Sequence, residues 1–312
     1  MKRILIVDDV HEKLIDGLTK CGFEISYQKD ITREKIIAVI SEFEGLVVRT
    51  KTEIDEELLA HAIKLEFIGR AGSGLDNVDT NYCDKHHVKY FNAGEANADA
   101  VGEQTLAMML SLFSKMVKAD DEVRKLIWDR EGNRGVELKG KTVAIIGYGN
   151  TGKSVARKLS GFGVKVLAYD KYLVDYADEF AIESSMQHIF ENADVITFHV
   201  PLTPETKHLV NNAYINQFKR NIFLLNLSRG KVVKTDDVIS ALKSRKIVGI
   251  ALDVLENENL AGMNETEKNN FEYLRNSSQT ILTPHVGGWT SESYEKISEV
   301  LLHKINDLYF EQ

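Results

Sequence analysis

The chain has 312 residues, with 39 Lys plus Arg against 47 Asp plus Glu and a formal net charge of −8. At about 150 residues per domain that length suggests two domains, and 43% hydrophobic with 28% charged residues is a globular rather than a disordered composition. The acidic balance excludes a generic nucleic-acid binder, which needs a basic face to displace counterions, and docking on an anionic membrane, but leaves small anionic ligands open. From the N-terminus, Ile4–Val7 is an apolar run closed by Asp8 and Asp9, too short for a signal-peptide core. Arg3–Val7, Phe23–Tyr27, Gly45–Val48, Leu65–Gly69 and Val88–Phe91 read as strands, with helices predicted over His11–Lys20, Thr32–Ser41 and Asp55–His61. Such alternation implies a parallel sheet.

A long helix is predicted from Ala98 to Ala119 and a second to about Arg130. A new βα series then begins at Lys141: strands over Thr142–Ile146, Val164–Tyr169, Val195–His199, Ile222–Asn226 and Ile247–Leu252, with a helix over Thr151–Gly161. Residues 259–279 read as a polar surface excursion, and Ser291–Leu308 as a helix with Tyr294, Ile297, Val300, Leu301 and Ile305 on one face. The fold class is α/β, with two Rossmann-like, doubly wound parallel-sheet domains. Their expected limits are 1–97 plus 287–312 for a flavodoxin-like substrate domain and 98–286 for the second domain. No stretch approaches the ~20 apolar residues of a membrane span. The two cysteines, Cys21 and Cys83, make no metal-spaced cluster and no disulfide framework, so no metal and a reducing, cytoplasmic setting are expected.

Gly147-Tyr148-Gly149-Asn150-Thr151-Gly152 is Gly-x-Gly-x-x-Gly, directly after an apolar strand and opening a helix. Alone the pattern is weak. Here the next strand also ends in Asp170, 23 residues after the first glycine, which completes a dinucleotide fingerprint. Gly147 permits the tight turn, Gly149 lets backbone approach a pyrophosphate, and Gly152 lets the helix pack on the strand. The helix N-terminus offers free N–H groups to the phosphates. Asp170 can accept the adenosine ribose hydroxyls and repels a 2′-phosphate, favouring NAD over NADP, with Lys171 slightly opposing that preference.

Hydride transfer to a 2-keto acid needs a fork-shaped cation for the carboxylate and a tuned proton donor for the carbonyl oxygen. Arg229, in Asn226–Gly230, and His285, in Leu282–His285, fall at the ends of predicted strands, where doubly wound sheets bind ligands. Asp253–Glu258 follows another. Arginine suits bidentate carboxylate binding, and a carboxylate beside His285 would favour its imidazolium. Glu256 and Glu258 are both candidates for that carboxylate.

At these residues the chain resembles the D-isomer-specific 2-hydroxyacid dehydrogenases, most closely the short-form phosphoglycerate dehydrogenases. The resemblance runs over essentially the whole chain and rests on Gly69–Asp79, the glycine fingerprint, His199–Thr203, Asn226–Gly230 and Thr283–Gly288. It implies that Arg229 binds the substrate carboxylate and carbonyl oxygen, that His285 exchanges the proton with the C2 oxygen, and that Glu258 is its partner. It implies an NAD site of Gly147, Gly149, Asn150, Thr151, Gly152, Asp170, Val200, Pro201, Thr206, Leu227, Ser228, Asp253, His285 and Gly287, with Asp253 on the nicotinamide carboxamide. On the substrate side it points to Arg49, Arg70, Ser73, Gly74, Asn97 and Arg229. The implied reaction is NAD-dependent oxidation of a D-2-hydroxy acid, foremost D-3-phosphoglycerate to 3-phosphohydroxypyruvate in serine biosynthesis, by a homodimer.

A phosphate carries about two charges, and Arg49, Lys51, Arg70 and, from a second copy of the chain, Arg134 are the cations offered to it. Arg49 and Lys51 read equally as a solvated loop. Trp289 stands where the family has a small residue and is expected to shrink or reshape the substrate pocket. Asn259 replaces the family's usual Pro after the catalytic Glu, and Ala100, Gly102 and Lys234 also depart from the common pattern. The chain is expected to lack a C-terminal regulatory domain. Rival readings are a glyoxylate, hydroxypyruvate or D-lactate type reductase and, from another class, an NAD-sensing corepressor.

Overall fold

A computed structural model describes residues 1–310. The chain divides into two compact units, Met1–Asn97 with the described chain from Trp289 onward, and Ala98–Gly288. Positions 311 and 312, assigned above to the first domain, lie outside the described residues.

In the first unit, β1 (Arg3–Ile6), β2 (Glu24–Tyr27), β3 (Gly45–Val48), β4 (Phe67–Arg70) and β5 (Lys89–Asn92) form one parallel sheet in the order β2-β1-β3-β4-β5. That is the flavodoxin-like order. Helices α1 (Glu12–Lys20), α2 (Arg33–Val39), α3 (Glu56–Leu59) and α4 (Thr80–His86) connect the strands. The inner strands β3 and β4 are buried along their whole length because both faces are covered, while the edge strands β2 and β5 expose Glu24, Tyr27 and Lys89. Successive side chains alternate: Leu5 and Leu46 enter one core cluster, while Ile4, Ile6 and Val47 enter the other. The C-terminal helix, Ser291–Phe310, closes that second cluster with Ile297, Leu301 and Ile305, one stripe at four-residue spacing.

In the second unit, β6 (Thr142–Ile146), β7 (Lys165–Tyr169), β8 (Ile182–Glu183), β9 (Val195–Phe198), β10 (Ile222–Asn226), β11 (Ile247–Leu252) and β12 (Thr280–Leu282) form a parallel sheet ordered β12-β11-β10-β9-β6-β7-β8. The chain runs outward from β6 to β8, then returns to lay β9 on the other side of β6. The carboxyl ends of β6 and β9 therefore flank a topological switch point. Helices α5 (Ala98–Phe113), α6 (Met116–Arg124), α7 (Asn150–Leu159), α8 (Met186–Asn192), α9 (Asn212–Ile215), α10 (Thr235–Lys243) and α11 (Glu265–Asn276) complete the unit. Ala144 and Ile146 pack on one face of the sheet, Val143 and Ile145 on the other.

Two expectations change. The long helix ends at Phe113, not Ala119, because Lys115 adopts φ 54° and turns the chain. The returning strand of chain takes the freed carbonyl, Val136 N donating to Phe113 O at 3.0 Å. The following helix stops at Arg124 rather than 130. The polar excursion contains a twelve-residue helix, α11, whose Leu274 is buried in the core of the unit. Its charged positions mask an apolar stripe (Phe271, Leu274) of i, i+3 spacing.

Candidate active site

β6 delivers the chain into the glycine turn. Gly147 holds φ +91°, and a Cβ there would run into the carbonyl oxygen of His199. A Cβ on Gly152 would run into the carbonyl of Gly147. These two glycines serve the protein's own packing. Gly149 differs: a Cβ there meets nothing within 4 Å. It is the N-cap of α7 and makes no side-chain cap, so the first-turn N–H groups around Asn150 and Thr151 have no capping partner from it. The open space above Gly149 and the positive helix end fit a pyrophosphate.

Asp170, at the end of β7, accepts from the Tyr148 amide at 2.8 Å with Oδ2, and from the Tyr172 and Leu173 amides at 2.9 and 3.2 Å with Oδ1. Burial pushes its pKa up, but the three amide donors outweigh burial and hold it below the usual carboxylate range. The charge therefore persists at neutral pH, with about one of four acceptor sites left over. Lys171 pairs with Glu205 at 2.6 Å, which draws that cation away from Asp170. The loop after β9 is closed by Thr206, whose hydroxyl donates to Pro201 O at 2.6 Å and accepts from Thr203 N at 2.8 Å. Val200 lies against Gly147. Burial pushes His199 down to about 3, so this imidazole beside the glycine turn is neutral.

Asn226, fully buried, has a part the sequence reading missed. Its Oδ1 accepts from Ser228 N and Oγ at 3.1 and 2.8 Å, and its Nδ2 donates to Arg229 O at 2.9 Å. This pins Leu227–Arg229 as a turn. Arg229 Nη1 donates to Ser228 O at 2.8 Å. Gly230 abuts the Leu255 carbonyl so closely that a Cβ would overlap it, which brings this turn against the 255–258 loop. An Asn three residues before an Arg, at the close of an apolar run, was the local signal.

Glu258 is the acid that reaches His285. His285 Nδ1 lies 3.0 Å from Glu258 Oε2. Glu256 faces elsewhere, accepting from His208 Nε2 at 2.6 Å and from Thr235 N and Oγ1 at 2.9 and 2.6 Å. Burial pushes the Glu258 pKa up, but the His285 hydrogen bond and charge, with smaller help from Arg229, bring it below the usual value. His285 sits at φ 56°, a conformation L residues rarely adopt. Its N–H is held by Asp253 O at 2.7 Å and Thr283 O at 3.1 Å. Its Nε2 has no hydrogen-bond partner among the described residues and is the atom open to a ligand.

Asp253, expected on the nicotinamide carboxamide, is 2% exposed. Oδ1 accepts from Thr283 Oγ1 at 2.5 Å and Val286 N at 3.0 Å, and Oδ2 from Gly287 N at 2.8 Å. In this structure it anchors the loop that carries His285.

The remaining expected residues lie in the first unit. Ser73 Oγ donates to Asn97 Oδ1 at 2.6 Å, and Asn92 Nδ2 donates to Ser73 O at 2.5 Å, so the turn holding Ser73 and Gly74 is tied to the end of the unit. Arg70 is buried and folds against Gly72. Lys51 directs its ammonium to the carbonyls of Lys29 and Ile31 at 2.8 and 3.1 Å. Arg134, in the second unit, pairs with Glu131 at 2.7 Å. Trp289, expected to shrink or reshape the pocket, is 60% exposed and lies against Arg49.

A family model for the NAD-binding domain of D-isomer-specific 2-hydroxyacid dehydrogenases matches residues 106–287. The chain belongs to the D-isomer-specific 2-hydroxyacid dehydrogenase family. It is 33% identical over 309 residues to a D-3-phosphoglycerate dehydrogenase of Dictyostelium discoideum, covering 97% of this chain and 75% of that one. It is 32% identical over 308 residues to the enzyme of that name from Methanocaldococcus jannaschii, covering 98% of this chain and 57% of that one. The chain spans little more than half the length of several curated relatives it matches. A solved structure of Aquifex aeolicus D-lactate dehydrogenase, complexed with NAD and lactic acid, superposes with TM-score 0.82 at 27% identity over 98% of this chain and 95% of that one. The family match makes the second unit an NAD-binding domain. Among the described residues no helix is long and apolar enough to cross a membrane.

Proposed function

We propose that the chain is an NAD-dependent D-2-hydroxyacid dehydrogenase whose substrate pair is D-3-phosphoglycerate and 3-phosphohydroxypyruvate. The observation that carries the reading is the 3.0 Å His285–Glu258 pair, built with Arg229 on the same unit as the glycine cradle. A bound NAD would supply the hydride chemistry. Gly149, Asn150 and Thr151 would hold its pyrophosphate and Asp170 its adenosine ribose. Arg229 binds the substrate carboxylate through its forked N–H donors and polarises the carbonyl. In the reducing direction, His285 Nε2 gives a proton to the C2 oxygen as the hydride reaches C2. In the oxidising direction the same nitrogen takes the hydroxyl proton. Glu258 holds Nδ1–H, which fixes the ring and offsets the positive charge of the imidazolium.

The phosphorylated substrate is supported by the names of the relatives above 30% identity over nearly the whole chain. A rival substrate of the lactate or hydroxypyruvate kind is supported by the D-lactate dehydrogenase likeness. Steady-state kcat/KM with NADH separates them: the proposal expects 3-phosphohydroxypyruvate to exceed unphosphorylated hydroxypyruvate by at least about tenfold, and equal values refute the phosphate part. Tight NADH binding without turnover of any 2-keto acid would instead favour a corepressor. A homodimer belongs to the same reading, supported by the apolar surface around α6, and so does a cytoplasmic setting, supported by the unpaired Cys21 and Cys83.

A further inference from the structure

Trp289 holds the least explained side chain of the first unit. Its exposure rules out core packing as the reason for an indole there. The Arg49 Cζ lies over its ring, 4.3 Å from the centroid, and 5.7 Å from the centroid of Tyr294. Aromatic surface thus covers one side of the guanidinium. The rest of Arg49 is nearly unused. Its side chain makes one long hydrogen bond, 3.4 Å to Asp9 O, and among the described residues no carboxylate pairs with it.

The two neighbouring acids are engaged elsewhere. Asp8 accepts the main-chain N–H of Arg49 at 2.5 Å. Asp9 accepts the Tyr294 hydroxyl at 2.7 Å and the Tyr27 hydroxyl at 3.2 Å, with the Lys29 ammonium 4.0 Å away. Burial pushes the Arg49 pKa down, the sign of a partly desolvated cation with too little counter-charge around it. A ring contact attracts such a cation without consuming its N–H donors.

We propose that Trp289 is a positioning residue, holding the Arg49 guanidinium so that its N–H donors meet a phosphate. Tyr294 assists by occupying the Asp9 carboxylate, which otherwise would compete for Arg49. The inference rests on the reading of the substrate as a phosphorylated 2-keto acid.

Kinetics and fluorescence test it. Trp289→Ala should raise KM for 3-phosphohydroxypyruvate about tenfold, with Trp289→Phe recovering part of that loss. KM for hydroxypyruvate, kcat and NADH affinity should stay within about twofold. An equal rise for both keto acids, or none for the phosphorylated one, overturns the proposal. Trp128 and Trp289 are the two tryptophans, so in a Trp128→Phe background the emission reports Trp289. It should respond saturably to inorganic phosphate, and Arg49→Gln should abolish that response. No saturable response also overturns the proposal. Failure to turn over either keto acid would defeat the dehydrogenase reading, while the phosphate titration still decides the role of Trp289.

Discussion

Glu256 and Glu258 are two residues apart and chemically identical, yet only Glu258 meets His285. The carboxylate stabilises the protonated imidazole that keto-acid reduction needs. Glu258→Gln removes that charge, so the alkaline limb of the reduction profile should move to lower pH while NADH affinity is unchanged. Glu256→Gln, which loses bonds to His208 and Thr235 instead, should leave the limb in place. A pH series of kcat/KM on both variants checks this. The glycine turn makes a second contrast. Gly147→Ala forces a side chain into a left-handed conformation, at about 1–2 kcal/mol, and into the His199 carbonyl as well. Gly149→Ala meets open space and loses only a good N-cap, about 0.5–1 kcal/mol. Melting temperature should therefore fall more for Gly147→Ala. Gly149→Ala should keep its fold and still weaken NADH binding in a titration, because the added methyl fills the space kept for the pyrophosphate.

At the scale of elements, the strands and long helices follow from local patterns that the sequence displays. α11 does not, because its polar residues outnumber its buried ones. Its start is nonetheless fixed locally by a capping box: Asn264 accepts from Glu267 N at 3.0 Å, and Glu267 accepts from Asn264 N at 2.8 Å. Glu267 also accepts from Asn257 Nδ2 at 3.1 Å, tying the helix to the residue beside Glu258. Asn259, the residue after this acid, donates its own N–H to Asn257 Oδ1 at 3.0 Å, so hydrogen bonds shape the loop. Glu267→Ala should cost about 1 kcal/mol in a urea titration. It should also increase hydrogen exchange at the N-terminus of α11 more than in the strands. An unchanged midpoint would show that the box contributes nothing.

At the scale of the molecule, charge and apolar surface are both uneven. Residues 253–312 hold 11 acids and 4 bases, so nearly all the net charge lies in the C-terminal fifth of the sequence. The body that carries the glycine cradle and Arg49 is close to neutral, which removes any conflict between an acidic chain and anionic ligands. Around α6, Met116, Val117 and Ile127 are exposed, Leu126 is 96% exposed and Trp128 is 80% exposed. An apolar group of this kind is costly to leave in water. Sedimentation should therefore find a dimer at micromolar concentration, and Trp128→Glu should shift it toward monomer. A monomeric parent protein would refute the dimer.

The amino-acid sequence by itself determined the two βα series, the glycine turn and the acid at the end of β7. Each depends on neighbours within a few residues or one strand, through periodic burial and the steric demands of a tight turn. It also marked Arg229, because a strand end is visible as the close of an apolar run, and His285 through the Thr283–Gly288 motif. Tertiary structure alone decided which acid serves His285, since that pairing spans 27 residues and depends on how two loops meet. It alone showed Asn226 and Asp253 as the pins of those loops. It alone set Trp289 against Arg49, a contact across most of the chain. Side chains far apart in sequence meet only where the sheet and its covering helix bring their backbones together.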